Sequence, residues 1–147
     1  MISHQETRIV PYSADLMYAV VSDVQKYPDF LPWVVALRVL SRRETGLSAE
    51  MAVGYGALRE HYTSEVTLDP IGRRIDVVQS RGPFKTLENH WHFMPRLQGC
   101  EVDFSILFEF KSRLLHGLAG RTFENAMLQM ADAFEARAKK LQEGKSL

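Results

Sequence analysis

The densest set of chemically capable side chains lies in Glu88-Asn-His90-Trp-His92. Side chains at i, i+2 and i+4 of an extended chain share a face, so Glu88, His90 and His92 form a row of zinc-ligand types. Leu87, Asn89, Trp91 and Phe93 take the opposite face, which is the better candidate for the inside. The Glu-His-His row then faces water, where it needs no metal. Cys100 is the only cysteine; it falls at a hairpin with no histidine indicated beside it, and no Gly-x-Ser-x-Gly elbow is present, so nucleophilic catalysis has no visible apparatus. Gly54-Tyr-Gly56-Ala-Leu-Arg59 echoes a dinucleotide loop but lacks the third glycine and sits in a strand pattern rather than opening a helix. Glu60, Glu65, Asp76 and Asp103 form no readable pair, although a pair assembled across strands leaves no mark in a sequence.

The other conspicuous chemistry is apolar. Tyr62, Leu87, Trp91, Phe93, Phe104 and Phe108 fall on strand patterns, and Phe123, Met127 and Met130 on a helical one. Such a face is usually core, but methionine adapts to irregular apolar shapes, so these residues are candidates for a cavity lining. The elements that must position them read clearly. Ile2 to Val10 is a strand ended by Pro11. Ser13 is a helix N-cap with Asp15 in the first turn, and Met17, Val20, Val21 and Val24 make one apolar stripe. Strand signals run over Val34–Glu44, Ser48–Leu58, Glu60–Leu68, Arg73–Gln79, Phe84–Met94 and Cys100–Phe110, with turns at Thr45-Gly46, Asp69-Pro70-Ile71-Gly72, Gly82-Pro83 and Pro95–Gly99. From Ser112 to Leu141 the period changes: Phe123, Met127, Met130, Phe134, Ala138 and Leu141 predict one long helix, loosened near its start by Gly117 and Gly120.

Strands bracketed by helices predict an α+β fold with an antiparallel sheet. The long helix must bury its stripe, and the aromatic sheet face is the large apolar surface available. Six to seven strands accumulate twist, so the sheet is expected to curl around the helix and leave an apolar cavity beside it.

The chain has 147 residues, which predicts one domain over 1–147. Lys plus Arg equals Asp plus Glu at 18 each, so no global field draws DNA or anionic lipid. Arg38, Arg42, Arg43, Arg59, Arg73, Arg74 and Arg81 leave a local basic patch open, against the alternative of a mixed-charge sheet surface. A single cysteine, an N-terminus without an apolar signal core and the lack of a spanning apolar stretch predict a cytoplasmic protein, with peripheral contact at the inner face of the membrane left open.

Asp23-Val-Gln-Lys-Tyr-Pro-Asp-Phe-Leu-Pro-Trp33 resembles the signature of the coenzyme-Q-binding START-domain family. Gly82-Pro-Phe84-Lys-Thr-Leu87 with Trp91-His-Phe93, the strand Val102–Phe110, Leu114-Leu115 and Met130-Ala-Asp-Ala-Phe134-Glu-Ala-Arg137 also fit, so the resemblance covers essentially the whole chain. It implies a helix-grip fold and a tunnel for ubiquinone, bound by a chaperone or transfer protein that supports respiration without catalysis and requires no metal or nucleotide cofactor. The family also includes bacterial ribosome-association toxins (RatA), and the wider superfamily polyketide aromatase/cyclases, so ribosome binding and cyclase chemistry stand as alternatives. On the quinone reading, Tyr27, Phe30, Leu31, Pro32 and Trp33 guard the cavity mouth and Phe84 lies on a second rim element. Trp33→Ala or Leu31→Ser is then expected to weaken quinone retention without unfolding the chain.

Overall fold

The computed structural model describes residues 1–55 and 58–145. Among them run seven strands: β1 (Ile2–Val10), β2 (Val34–Arg43), β3 (Gly46–Tyr55), β4 (Leu58–Asp69), β5 (Arg74–Arg81), β6 (Phe84–Arg96) and β7 (Gly99–Phe110). They form one antiparallel sheet in the order β1-β7-β6-β5-β4-β3-β2. Strands β2 to β7 are therefore a meander of successive hairpins, and β1 is added outside β7. Alternation decides which face is inner: every second residue of β7, from Cys100 to Phe110, is buried, and those between are half-buried. The same parity holds in β6, where Leu87, Asn89, Trp91 and Phe93 are buried.

Helix α1 (Ala14–Ser22) begins where Ser13 accepts a hydrogen bond from the Leu16 N–H at 3.0 Å. A short 3₁₀ turn, Val24–Asp29, follows and carries Pro28. The C-terminal helical stretch starts at Ser112, whose hydroxyl accepts from Leu115 N–H at 3.1 Å. It is the long C-terminal helical element that the periodicity predicts, interrupted at one residue. Helix α2 (Arg113–Leu128) and helix α3 (Met130–Lys145) are separated at Gln129, whose N–H is shared between the carbonyls of Asn125 and Ala126, each at 3.2 Å. Gly117 and Gly120 lie inside regular helix, because α2 seats Ala119, Gly120, Phe123, Ala126 and Met127 in the core, and packing overrides the propensity cost.

The two halves of the stripe meet different partners. Phe123 packs on Phe84, Phe108 and Phe110. Phe134 packs on Tyr27, Phe30 and Trp91. Ala138 is buried too, but Leu141 reaches the surface. Arg8 of β1 ties α3 down, with Nη1 at 2.8 Å from Asp132 and 3.0 Å from Glu135, while Nη2 meets Glu6 at 2.7 Å. Among the described residues no helix is long and apolar enough to cross a membrane.

Two turns set the ends of β6. Before it, Gln79 reaches across the Gly82-Pro83 turn, accepting from the Phe84 N–H at 3.0 Å and donating to the Phe84 carbonyl at 2.7 Å. After it, Gly99 adopts φ +136°, and a Cβ there would collide with the carbonyl oxygen of Val10. Gly99→Ala must therefore distort both the turn and the β1–β7 edge. We expect it to lower unfolding free energy by about 1–3 kcal/mol in urea denaturation; an unchanged midpoint and slope would show that the edge relaxes freely.

Candidate functional site

Between the inner sheet face and the helices lies an apolar cavity. Each strand from β2 to β7 contributes: Leu37 from β2, Ala49 and Met51 from β3, Tyr62, Ser64 and Val66 from β4, Val77 from β5, Leu87 and Asn89 from β6, and Ile106 from β7. Phe123, Met127, Met130 and Phe134 close it from the helices, with Val24 and Tyr27 at one end. Tyr27, Leu37, Met51, Val77 and Met130 are half-buried and mark where the wall approaches the surface. The free volume, counted as room for the centre of a water molecule, is about 70 Å³. Pockets that enclose drug-sized ligands run to roughly 300–1,000 Å³, so a long ligand enters only if the wall moves. Three methionines and the break at Gln129 supply adaptable material for that movement.

The polar groups are few. The Tyr27 hydroxyl donates to the Val21 carbonyl. The Tyr62 hydroxyl lies 3.3 Å from the Met51 sulfur. Burial pushes both phenols well above their ordinary range, so both stay protonated. Asn89 accepts from the Trp91 indole N–H at 2.8 Å and donates to the Ser105 carbonyl at 2.9 Å. Indole can only donate and a carbonyl can only accept, so these partners fix the amide orientation. No described lining residue is charged.

Of the residues picked from sequence, Tyr27, Tyr62, Leu87, Phe123, Met127 and Met130 stand on this wall. The others do not. Phe84, Trp91, Phe93, Phe104 and Phe108 are buried against one another: Phe84 stacks on Phe110 at 4.7 Å between centroids, and Trp91 meets Phe104 at 4.5 Å. These broad rings pack on β6 and β7, while the smaller Ala49, Ser64, Val66 and Val77 of β3 to β5 leave the gap. The Tyr-Pro-Asp-Phe-Leu-Pro-Trp loop is a buttress rather than an open rim. Phe30 packs on Phe134 at 5.4 Å and lies under the Arg137 guanidinium at 5.2 Å. Leu31 is only 1% exposed and belongs to the core, so Leu31→Ser is a stability variant, contrary to the expectation above. Pro32 and Trp33 line a separate shallow surface groove with Gly54, Thr122, Asn125, Ala126 and Gln129.

The sequence reading passed over Ser64, Val66, Asn89 and Ile106 as wall residues, although parity identifies them. Ser64 and Val66 alternate with Tyr62, Asn89 with Leu87, and Ile106 lies between Phe104 and Phe108. Selecting for aromatic bulk hid them. Ala49 and Met51 follow the same parity, alternating along β3 with Leu47 and Val53, whereas Leu37 had no comparable signal because β2 is largely exposed and alternates weakly. On the outer face, His90 Nδ1 sits 2.6 Å from Asp76 Oδ1, and no metal-ligand cluster forms among the described residues. Of the glycine-rich segment considered for a nucleotide, Gly56 and Ala57 lie outside the described residues. Cys100 is buried, and desolvation pushes its thiol up to about 11.

A curved antiparallel sheet that grips C-terminal helices around an apolar cavity is the helix-grip, START-like fold. Residues 10–135 match the family described as polyketide cyclase / dehydrase and lipid transport, and the chain belongs to it. It is 38% identical to the ribosome association toxin RatA of Rickettsia prowazekii, over 96% of this chain and 99% of that protein. It is 37% identical to the mitochondrial coenzyme Q-binding protein COQ10 homolog B of Xenopus laevis, over 93% of this chain but only 58% of that protein. The solution structure of an 18 kDa protein from Caulobacter crescentus superimposes with a TM-score of 0.77 at 37% identity, covering 97% of this chain and 99% of that one.

Asn89→Ala strands the Trp91 indole N–H in the core. In a Trp33→Phe background, where Trp91 alone emits, we expect a loss of about 1–3 kcal/mol in urea unfolding and a shifted native emission maximum. A variant matching its parent in both would mean that another acceptor replaces Asn89.

Proposed function

We propose that the protein binds an isoprenoid quinone, of the ubiquinone class, between its sheet and helices α2 and α3, and acts as a non-catalytic carrier supporting respiratory electron transport. The observation that carries this reading is the cavity wall: apolar from every strand between β2 and β7, flexible at Met51, Met127 and Met130, and free of charge among its described residues. Burying a methylene gains ~0.8 kcal/mol, so a polyprenyl tail can offset the displacement of the wall. The relative named as a coenzyme Q-binding protein supports the same assignment. The carrier role places the protein in the cytoplasm with transient contact at the membrane that holds its ligand, and requires no metal or nucleotide.

Cyclase or dehydrase chemistry is the weaker reading. It requires an acid or base positioned at the substrate. The described lining offers two phenols held protonated, a serine and an amide.

A ribosomal role has a specific observation behind it: the relative named as a ribosome association toxin matches along nearly its entire length. The arginines that such a partner would use are interleaved with acids, however. Arg38 pairs with Glu50 at 3.2 Å, Arg43 with Glu65 at 3.3 Å and Arg73 with Asp15 at 2.7 Å. If this surface binds ribosomal phosphates, co-sedimentation with ribosomes should fall steeply between 50 and 200 mM salt, on the scale of other multi-phosphate contacts. Arg42→Glu with Arg38→Glu should abolish it.

Mass spectrometry of an organic extract of the purified protein tests the main reading. We expect a near-stoichiometric isoprenoid quinone, and a marked loss of it in Ala49→Phe, which puts a ring into the middle of the cavity. An extract without quinone, unchanged after incubation with ubiquinone in detergent, would remove the reading.

A further inference from the structure

Ser64 is only 5% exposed, points into the cavity from the middle of β4, and its hydroxyl has no hydrogen-bond partner among the described residues. Its surroundings explain why. Directly across the sheet stand Ala49 on β3 and Gln79 on β5. Ala49 has no polar side-chain atom, and both ends of the Gln79 amide are engaged by the backbone of Phe84. Along its own strand the flanking inner residues are Tyr62, whose hydroxyl lies against Met51, and Val66. A desolvated hydroxyl without a partner destabilises the fold, and alanine would fill the position without that cost. The other polar side chains of the wall are already bonded within the protein, Asn89 to Trp91 and Ser105, and Tyr27 to Val21.

We infer that Ser64 holds the polar end of the ligand, donating a hydrogen bond to a carbonyl oxygen, and that the cavity admits neutral carbonyl-bearing lipids while rejecting ionised ones. The second half follows from the wall. With no cation among the described lining residues, a carboxylate or phosphate would enter without a counter-charge and would lose its hydration uncompensated. A quinone ring carries carbonyl acceptors and no charge, so both conditions meet in it. This inference rests on the cavity being the quinone site, and deepens that reading by naming the head-group contact and the basis of selection.

The test titrates the full chain and Ser64→Ala with a short-tailed ubiquinone and with palmitate, following tryptophan quenching, and records the carbonyl stretch of carbonyl-¹³C ubiquinone in both proteins. We expect the quinone to bind wild type at least tenfold more tightly than palmitate. In Ser64→Ala we expect quinone affinity to fall roughly tenfold and the carbonyl band to move to higher wavenumber, as it does when a hydrogen bond is lost. The thermal midpoint of the unliganded variant should equal or exceed that of wild type, which separates this result from a folding defect. Equal quinone affinity and an identical carbonyl band in the variant would overturn the role of Ser64 while leaving quinone binding intact. Palmitate binding as tightly as quinone would overturn the selection for neutral ligands. Wild type binding no quinone would overturn the quinone reading itself, and the inference with it.

Discussion

The inner face of a seven-stranded antiparallel sheet is broader than the helices that cover it, and the fold is a response to that mismatch. Twist accumulated across the strands curls the sheet toward the helices. Large rings then close the regions where sheet and helix can touch. Phe84, Phe108, Phe110 and Phe123 form one such knot, and Tyr27, Phe30, Trp91 and Phe134 another. Beside the knots, β3 to β5 carry Ala49, Ser64, Val66 and Val77, whose short side chains line the space under the helices. The cavity is where these short side chains stand, so the distribution of side-chain size over the sheet locates it.

This explains what could be read from the sequence. Alternation in β7 and the parity of β6 state directly which residues turn inward, and the capping serines Ser13 and Ser112 mark helix starts. The apolar stripe from Phe123 to Ala138 announced that helices cover the sheet. The helix break, where the Gln129 N–H is shared between two carbonyls, was not legible, because no glycine or proline stands there. Aromatic bulk is a poor sign of a lining residue for a related reason: in a close-packed interior bulk fills space, and small or polar inner-face residues are what leave it open.

The proline-rich loop shows how a recognisable motif can lie beside a site without facing it. Its two prolines confine the backbone, and the stiffened segment presents Tyr27 and Phe30 to Phe134. Phe134 in turn forms part of the cavity wall. The motif therefore acts on the cavity through α3, and Arg8 fixes the same helix from the opposite side through Asp132 and Glu135. Helix α3 is held by β1 and by the proline-rich loop, whereas α2 carries exposed Leu114 and Leu118.

The position of β1 has a consequence for how the molecule is made. Strands β2 to β7 pair in the order in which they are synthesised, each with its predecessor, but Ile2 pairs with Phe108 and Val10 with Cys100. Strand β1, made before the other six, thus waits without its hydrogen-bonding partner for the last of them. Until β1 docks, the outer edge of the meander stays open to the surroundings, and α3, made after β7, meets Arg8 only once β1 is in place. Such long-range closure is slow and leaves strand edges open to other chains in the interval. In a newborn chain the enclosed cavity is therefore among the last features to exist.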